Sequence, residues 1–395
     1  MTSCRAPISC RASCRPRAAI RLDPLVSIDS TLRSINPRDW NRLAGENAFA
    51  SHGWLRTVEA CWRASSEALY FTLRRDGEIL AAAVCYVVNP SPGVETLDDM
   101  LLGRLRPAAS SLGISFLPAL VCGPAQGYGW HIGINPRLDV GAEAQIRREM
   151  LDAIEAEADR RGLPLSLTQT LDDEPELRAL LEERGYLRGR NVPIAWMDVP
   201  WRSIDDYFAS LPAKSRREAK RECRRNIKSG TRIELLESCE GFEERFLDLL
   251  GENARRHGSL KFPFGNGFLS SLSENMADGA LIRLSRKGEA VSGVHLALRH
   301  GETAVAYAVG VDAELGGGDF TYFRLGYYSL IEYAIQHRIN RIFFGRGMYD
   351  LKRRRGCRLM TSWIYTRTSV THRALSGPWY ELASWWNGYK FASGG

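Results

Sequence analysis

The sequence predicts an α/β protein of two successive lobes, each a sheet flanked by helices, and three observations carry that prediction. First, 395 residues exceed what one ordinary hydrophobic core organises, whereas two domains of about 150 to 200 residues fit comfortably. Second, over residues 39–199 the apolar positions switch between helical spacing and alternation in the order helix, hairpin, helix, strand, helix, strand. Third, the later half repeats that order. The segment ALIRLSRKGEAVSGVHLAL aligns with ALYFTLRRDGEILAAAVCYVV at a constant offset, placing Leu284 on Leu73, Arg286 on Arg75, Gly288 on Gly77, Glu289 on Glu78 and Val291 on Leu80. Further on, IEYAIQHRINRIFF echoes IEAEADRRGLPLSL. R-x-G-E is favourable turn chemistry anywhere, but two matches in one order point to a duplicated unit.

The elements follow from local pattern. Asp39 to Arg63 reads as a helix-rich entry, with Trp54, Leu55, Val58, Cys61 and Trp62 at helical spacing. The apolar runs on either side of Arg75-Asp76-Gly77 form a hairpin, because Asp-Gly supplies the left-handed turn that hairpins prefer. Residues 89–130 are rich in Pro, Gly and Ser and read as loops around a short strand at FLPALVC. A helix over Ile146 to Arg161 presents Met150, Ile154 and Ala158, and the strand Leu163 to Thr168 follows. LRALLEERGYL gives a second helix capped near Gly185. The strand Val192 to Val199 then closes this half.

Composition narrows the class. With 44% hydrophobic and 25% charged residues and no apolar run near the roughly 18 residues of a membrane span, no stable membrane insertion is expected. The formal charge of +7 favours phosphate-bearing partners without identifying one. Nine scattered cysteines without a CxxC imply reduced thiols, hence a cytoplasmic protein, and no metal-ligand set occurs. The start, MTSCRAPISCRASCRPRAAIRL, has the composition of an organellar transit peptide or of a disordered basic tail.

Four stretches carry a resemblance: WRSIDDYFASLPAKSRREAKRECRRNIKSG, FLSSLSENMADGALIRLSRKGEAVSGVHLAL, YFRLGYYSLIEYAIQHRINRIFFGRGMYDLKRRRG and, more softly, ASHGWLRTVEACW. Together with the element order they resemble the GNAT superfamily in its tandem Fem-type branch, a family named for peptidoglycan biosynthesis or recognition. The resemblance implies two tandem GNAT-like lobes, each a mixed, mostly antiparallel sheet flanked by helices. Along the chain it implies a basic tail over 1–38, a degenerate N-terminal lobe over 39–199, a catalytic C-terminal lobe over 200–374 and a C-terminal helix over 375–395. It further implies an N-acyltransferase that moves an aminoacyl or acyl group from aminoacyl-tRNA or acyl-CoA to the amine of a small molecule or muropeptide by direct attack. The alternative is a non-catalytic protein of this fold that recognises a cell-wall precursor or nucleic acid.

The candidate site residues cluster after the strand RIFF. The resemblance gives Lys352 the role of stabilising the oxyanion, a need set by the charge that amine attack develops on a carbonyl. Asp350 and Tyr349 stand upstream as candidates to relay the amine proton. Arg346, between Gly345 and Gly347, lies where α/β sheets present residues to a ligand. Arg355 ends the basic run. In the loop AELGGGDFTYFRLGYY, Gly316, Gly317 and Gly318 permit close approach of a donor phosphate and Tyr322 stands at the loop-helix junction. The Arg-led pyrophosphate spacing of plain acetyltransferases is missing there, which leaves acyl-CoA a weaker candidate co-substrate than aminoacyl-tRNA. Lys214, Arg217, Arg221 and Arg224 belong to a basic helix suited to phosphates, or to a plain solvated face.

Overall fold

In the computed structural model the described residues are 26–62, 65–90, 97–236, 239–257, 262–368, 378 and 381–382. The strands of the first half are β1 (Val26–Asp29), β2 (Ser65–Arg75), β3 (Glu78–Val88), β4 (Ala119–Cys122), β5 (Gly133–Ile134), β6 (Leu165–Leu171), β7 (Leu187–Arg190) and β8 (Ile194–Asp198). Those of the second half are β9 (Thr231–Leu235), β10 (Ala280–Lys287), β11 (Ala290–His300), β12 (Thr303–Val311), β13 (Arg341–Gly345), β14 (Arg358–Met360) and β15 (Ser362–Arg367).

Two sheets result, and they have matching plans. The first runs β1-β2-β3-β4-β6-β15-β7, with β5 beside β3; the second runs β14-β8-β13-β12-β11-β10-β9. In each, antiparallel neighbours lead to one parallel pair, β4 with β6 and β12 with β13. The strand next to one end of each sheet comes from outside its own stretch of chain. β8, expected to close the first half, lies instead between β13 and β14, while β15 returns to fill the gap between β6 and β7. Alternation marks these segments as strands but carries no address for the sheet they join.

The duplicated hairpins fit the alignment with one refinement. Arg75 pairs with Glu78 and Lys287 with Ala290, so the ladders superimpose one residue further along than the sequence match. The turns explain the slip. Asp76 and Gly77 are both left-handed, at φ +52° and +82°, whereas the second turn has Gly288 first, at φ +56°.

Within the span 1–38 expected as a tail, Val26–Asp29 pairs along β2 and a helix begins at Pro37. Residues 1–25, and all but three residues of the C-terminal helix expected over 375–395, lie outside the described residues. No helix among the described residues is long and apolar enough to cross a membrane.

One core joins the lobes. Trp40, Phe49, Trp54 and Tyr70 of the first half pack with Phe246, Phe264, Phe268 and Leu296 of the second. The helix His52–Cys61 lies against the helix Phe268–Met276 so closely that a Cβ on Gly53 would stand 2.2 Å from the Asn275 carbonyl oxygen.

Candidate active site

Each parallel pair opens into a fork. β4 stays with β6 only as far as Cys122 opposite Leu167, and β12 stays with β13 only as far as Val305 opposite Phe343. Beyond those points β6 continues to Leu171 and β12 to Val311. A cavity of about 330 Å³ lies between the forks, lined from the first by residues 123–128, Thr168 and Gln169 and from the second by residues 305–308, Gly345 and Arg346. Phe49, Trp62, Tyr86, Phe262 and Tyr307 add aromatic walls.

Backbone and side chains around this cavity depart from ordinary folding economy. Gln126 and Gln169 are left-handed at φ +59° and +60°, and the second fork ends in Gly345, Gly347 and Met348 at +65°, +76° and +51°. Non-glycine residues in that region are strained, and such strain concentrates at functional sites. Trp62 Nε1, Tyr128 Oη and Gln169 Oε1 are buried without a hydrogen-bond partner among the described residues. Leaving such groups unmade costs about 1 to 3 kcal/mol each, a cost concentrated in the side chains that line this cavity. His131 fixes the strand end beneath Gln169, with Nε2 2.8 Å from the Thr168 carbonyl and Nδ1 3.1 Å from Glu174.

Of the predicted residues, Gly345 and Arg346 line the cavity. Lys352 does not. It is 4% exposed, and its Nζ donates to the carbonyls of Phe344 at 2.6 Å, Gly345 at 3.2 Å and Arg346 at 2.8 Å. An ammonium has three N–H donors, and all three hold the turn that carries Arg346. This geometry differs from the expectation that Lys352 faces the reacting carbonyl. Burial, opposed by Cys357 and reinforced by Arg346, lowers its pKa to about 8.

The neighbouring predicted residues are also committed elsewhere. Tyr349 donates to the Pro193 carbonyl at 2.8 Å, and burial raises its pKa. Asp350 is exposed, with Arg353 at 3.7 Å. Arg355 is buried, its Nη2 donating to both carboxylate oxygens of Glu222 at 2.8 Å, while Tyr328 donates to the same carboxylate at 2.5 Å. Tyr322 donates weakly to Met348 Sδ at 3.6 Å.

The glycine loop is not built for a pyrophosphate. Asp312 caps the short helix Ala313–Gly316, taking the amides of Glu314 and Leu315 at 3.0 Å. Asp319, after Gly318, takes the Thr321 amide at 3.0 Å and pairs with Lys287 at 2.6 Å. Carboxylates therefore occupy the helix starts on both sides of the glycines. The basic helix Ala213–Lys228 buries Ala219, Glu222 and Asn226 and leaves Lys214, Arg217, Arg221 and Arg224 exposed. The guanidinium carbons of Arg221 and Arg225 stand 5.8 and 5.5 Å from the Phe320 ring centroid.

Sequence reasoning missed the first-lobe contributors Gln126, Tyr128, Gln169 and Trp62. The available signal was the polar run Thr168-Gln169-Thr170 at the end of an otherwise apolar strand. No group of residues suited to hold a metal ion occurs among the described residues. A second cavity, of about 430 Å³, shares the wall Phe49, Tyr128 and Val305 and is lined by Glu46, Asp173, Glu174 and Glu176, but holds none of the predicted site residues.

Solved structures share this architecture. FemX superimposes with a TM-score of 0.58 at 11% identity, covering 87% of this chain and 98% of its own. L-PGS from Bacillus licheniformis gives 0.51 at 12% identity, covering 88% and 95%. The C-terminal domain of a putative lysylphosphatidylglycerol synthetase from Agrobacterium fabrum gives 0.50 at 10% identity, covering 86% and 94%. At these identities the likeness is one of fold. No curated protein matches the chain in sequence. The sequence pattern of the FemAB-like family does match, over residues 31–375, and the chain belongs to that family, described as peptidoglycan biosynthesis/recognition.

Proposed function

We propose that the protein is an N-acyltransferase that moves an aminoacyl group from aminoacyl-tRNA to an amine in the cavity between the forks. The observation that carries this reading is the cavity itself, where left-handed residues from both lobes and unpartnered polar side chains of the first lobe line the same space as Arg346. The amine nitrogen attacks the ester carbonyl carbon, the carbon–oxygen ester bond breaks, and the departing tRNA hydroxyl takes up the proton that the amine gives away. Arg346 offsets the charge on the carbonyl oxygen in the tetrahedral intermediate, and Lys352 holds Arg346 in place from behind. Asp350 and Tyr349 are left without a direct part in this scheme.

The donor assignment rests on charge. Asp312 and Asp319 already take helix-start amides that a coenzyme A pyrophosphate would use, whereas the exposed arginines around Phe320 offer a nucleic acid both phosphate contacts and a stacking face. FemAB-like membership makes a muropeptide amine a natural acceptor, and charged tRNA places the reaction in the cytoplasm.

The test incubates the protein with charged tRNA or acyl-CoA and an amine, and follows release of the carrier. Amide formation from the tRNA ester alone is expected, and Arg346→Ala should lose about a hundredfold or more in rate, the scale for removing an oxyanion-stabilising group. Binding of charged tRNA without ester loss would make the chain a recognition protein instead.

A further inference from the structure

Strand β9 ends its sheet, so its outer edge is unpaired among the described residues. Strand pairing fixes which of its backbone groups are free. The Leu236 amide donates to the Ile282 carbonyl at 2.8 Å, and in an antiparallel pair alternate residues turn their backbone to the same neighbour. Arg232 and Glu234 therefore bond β10, while Thr231, Ile233 and Leu235 turn N–H and C=O outward. Such an edge is a template for a further strand.

The side chains decide which strand fits. Arg232 and Glu234 are exposed and, being two residues apart, share one face of the edge. Arg232 lies opposite Arg286 of β10, whose guanidinium bonds Glu234, so two guanidinium groups share that face with one carboxylate. On the other face Thr231 bonds inward to Ser229 and Asp319. Leu235 is 50% exposed there, and Ile227, near the end of the helix that leads into β9, is 61% exposed.

We propose that β9 pairs antiparallel with β9 of a second copy of this chain about a two-fold axis at Ile233, joining two seven-stranded sheets into one. Only the outward-turned residues can exchange backbone bonds, which limits the symmetric registers that pair Ile233 to three. Centring the pair on Ile233 sets Arg232 of each copy opposite Glu234 of the other. Centring it on Arg232 sets Arg232 against Arg232, and centring it on Glu234 sets Glu234 against Glu234. These charged positions are the non-hydrogen-bonded pairs, where side chains approach most closely. Opposite charges there stabilise a sheet and like charges oppose it. The charge pattern thus selects the register that also forms the most backbone bonds, and two-fold symmetry supplies each favourable contact twice.

The experiment measures the mass of the full chain by sedimentation over a range of concentrations, without substrate. A monomer–dimer equilibrium is expected, and a monomer at the highest soluble concentration would overturn the assignment. Arg232→Glu and Glu234→Arg should each weaken the dimer about tenfold or more, since each sets like charges opposite one another twice. A mixture of the two variants should associate as the parent does, because every opposed pair in the mixed dimer again has opposite charge. A dimer unaffected by either substitution, or variants that fail to associate with each other, would place the contact elsewhere. Amide exchange reads the same edge in the unmodified chain. Ile233 and Leu235 should exchange freely when dilute and gain protection as the dimer forms. Protection at every concentration would mean that a segment of the same chain covers the edge, which equally overturns the proposal.

Discussion

The ammonium of Lys352 matches three N–H groups to three carbonyls, so its protonation state governs the turn that carries Arg346. Below its pKa of about 8 all three bonds form; above it a neutral amine has two N–H groups and a lone pair facing the third carbonyl. The transfer rate per free-base acceptor amine should therefore fall as pH rises through about 8, and Lys352→Met should be slower and lack that limb. A limb persisting in the variant would assign it to another group. The stability effect has the opposite sign. Because the folded pKa lies below the ordinary value of 10.5, the buried charge costs stability at neutral pH, and that cost shrinks between about pH 8 and 10.5. The Fem-type resemblance singled out Lys352 in the sequence, and its burial beside Arg346 was not legible there. Its contacts were not legible either, because the carbonyls it meets belong to a turn whose left-handed shape depends on Gly345 and Gly347 together.

At the scale of elements, the helix Ala213–Lys228 shows where charge patterns stop being informative. Its basic stripe was visible as spacing, and that face is exposed. One of its two interior acids, Glu222, is nevertheless its firmest anchor, bound to Arg355 and Tyr328 and 2% exposed. In sequence Glu222 is one acid among eight bases, and Arg355 is the last of a basic run; only the packing pairs them. Removing one partner of a buried ion pair leaves the other charge uncompensated, so Glu222→Ala should cost about 3 to 5 kcal/mol in urea unfolding. A loss under about 1 kcal/mol would show that the helix is held mainly by its apolar contacts. The donor loop is a similar case: three glycines suggested a phosphate cradle, and Asp312 and Asp319 take the helix-start amides on either side of them.

Across the whole molecule, the reciprocal exchange of β8 and β15 ties each sheet to the other half of the chain. The duplication was legible because hairpin turns and helix-to-strand order are local. The exchange was not, because alternation fixes which face a strand buries and leaves its neighbours open. The cavity was illegible for the same reason, being assembled from two forks far apart in sequence. A chain ending at Met360 lacks β15, leaving β6 and β7 without the strand between them, and should lose the cooperative thermal transition of the full chain. A retained single transition would show that the exchange is dispensable. The central claim, that acyl transfer occurs between the forks, is tested most directly by filling that space. Ala308 lines the cavity from β12, and Ala308→Trp should keep the melting behaviour of the parent while losing transfer from charged tRNA by a hundredfold or more. A folded Ala308→Trp protein that transfers at the parent rate would contradict the account.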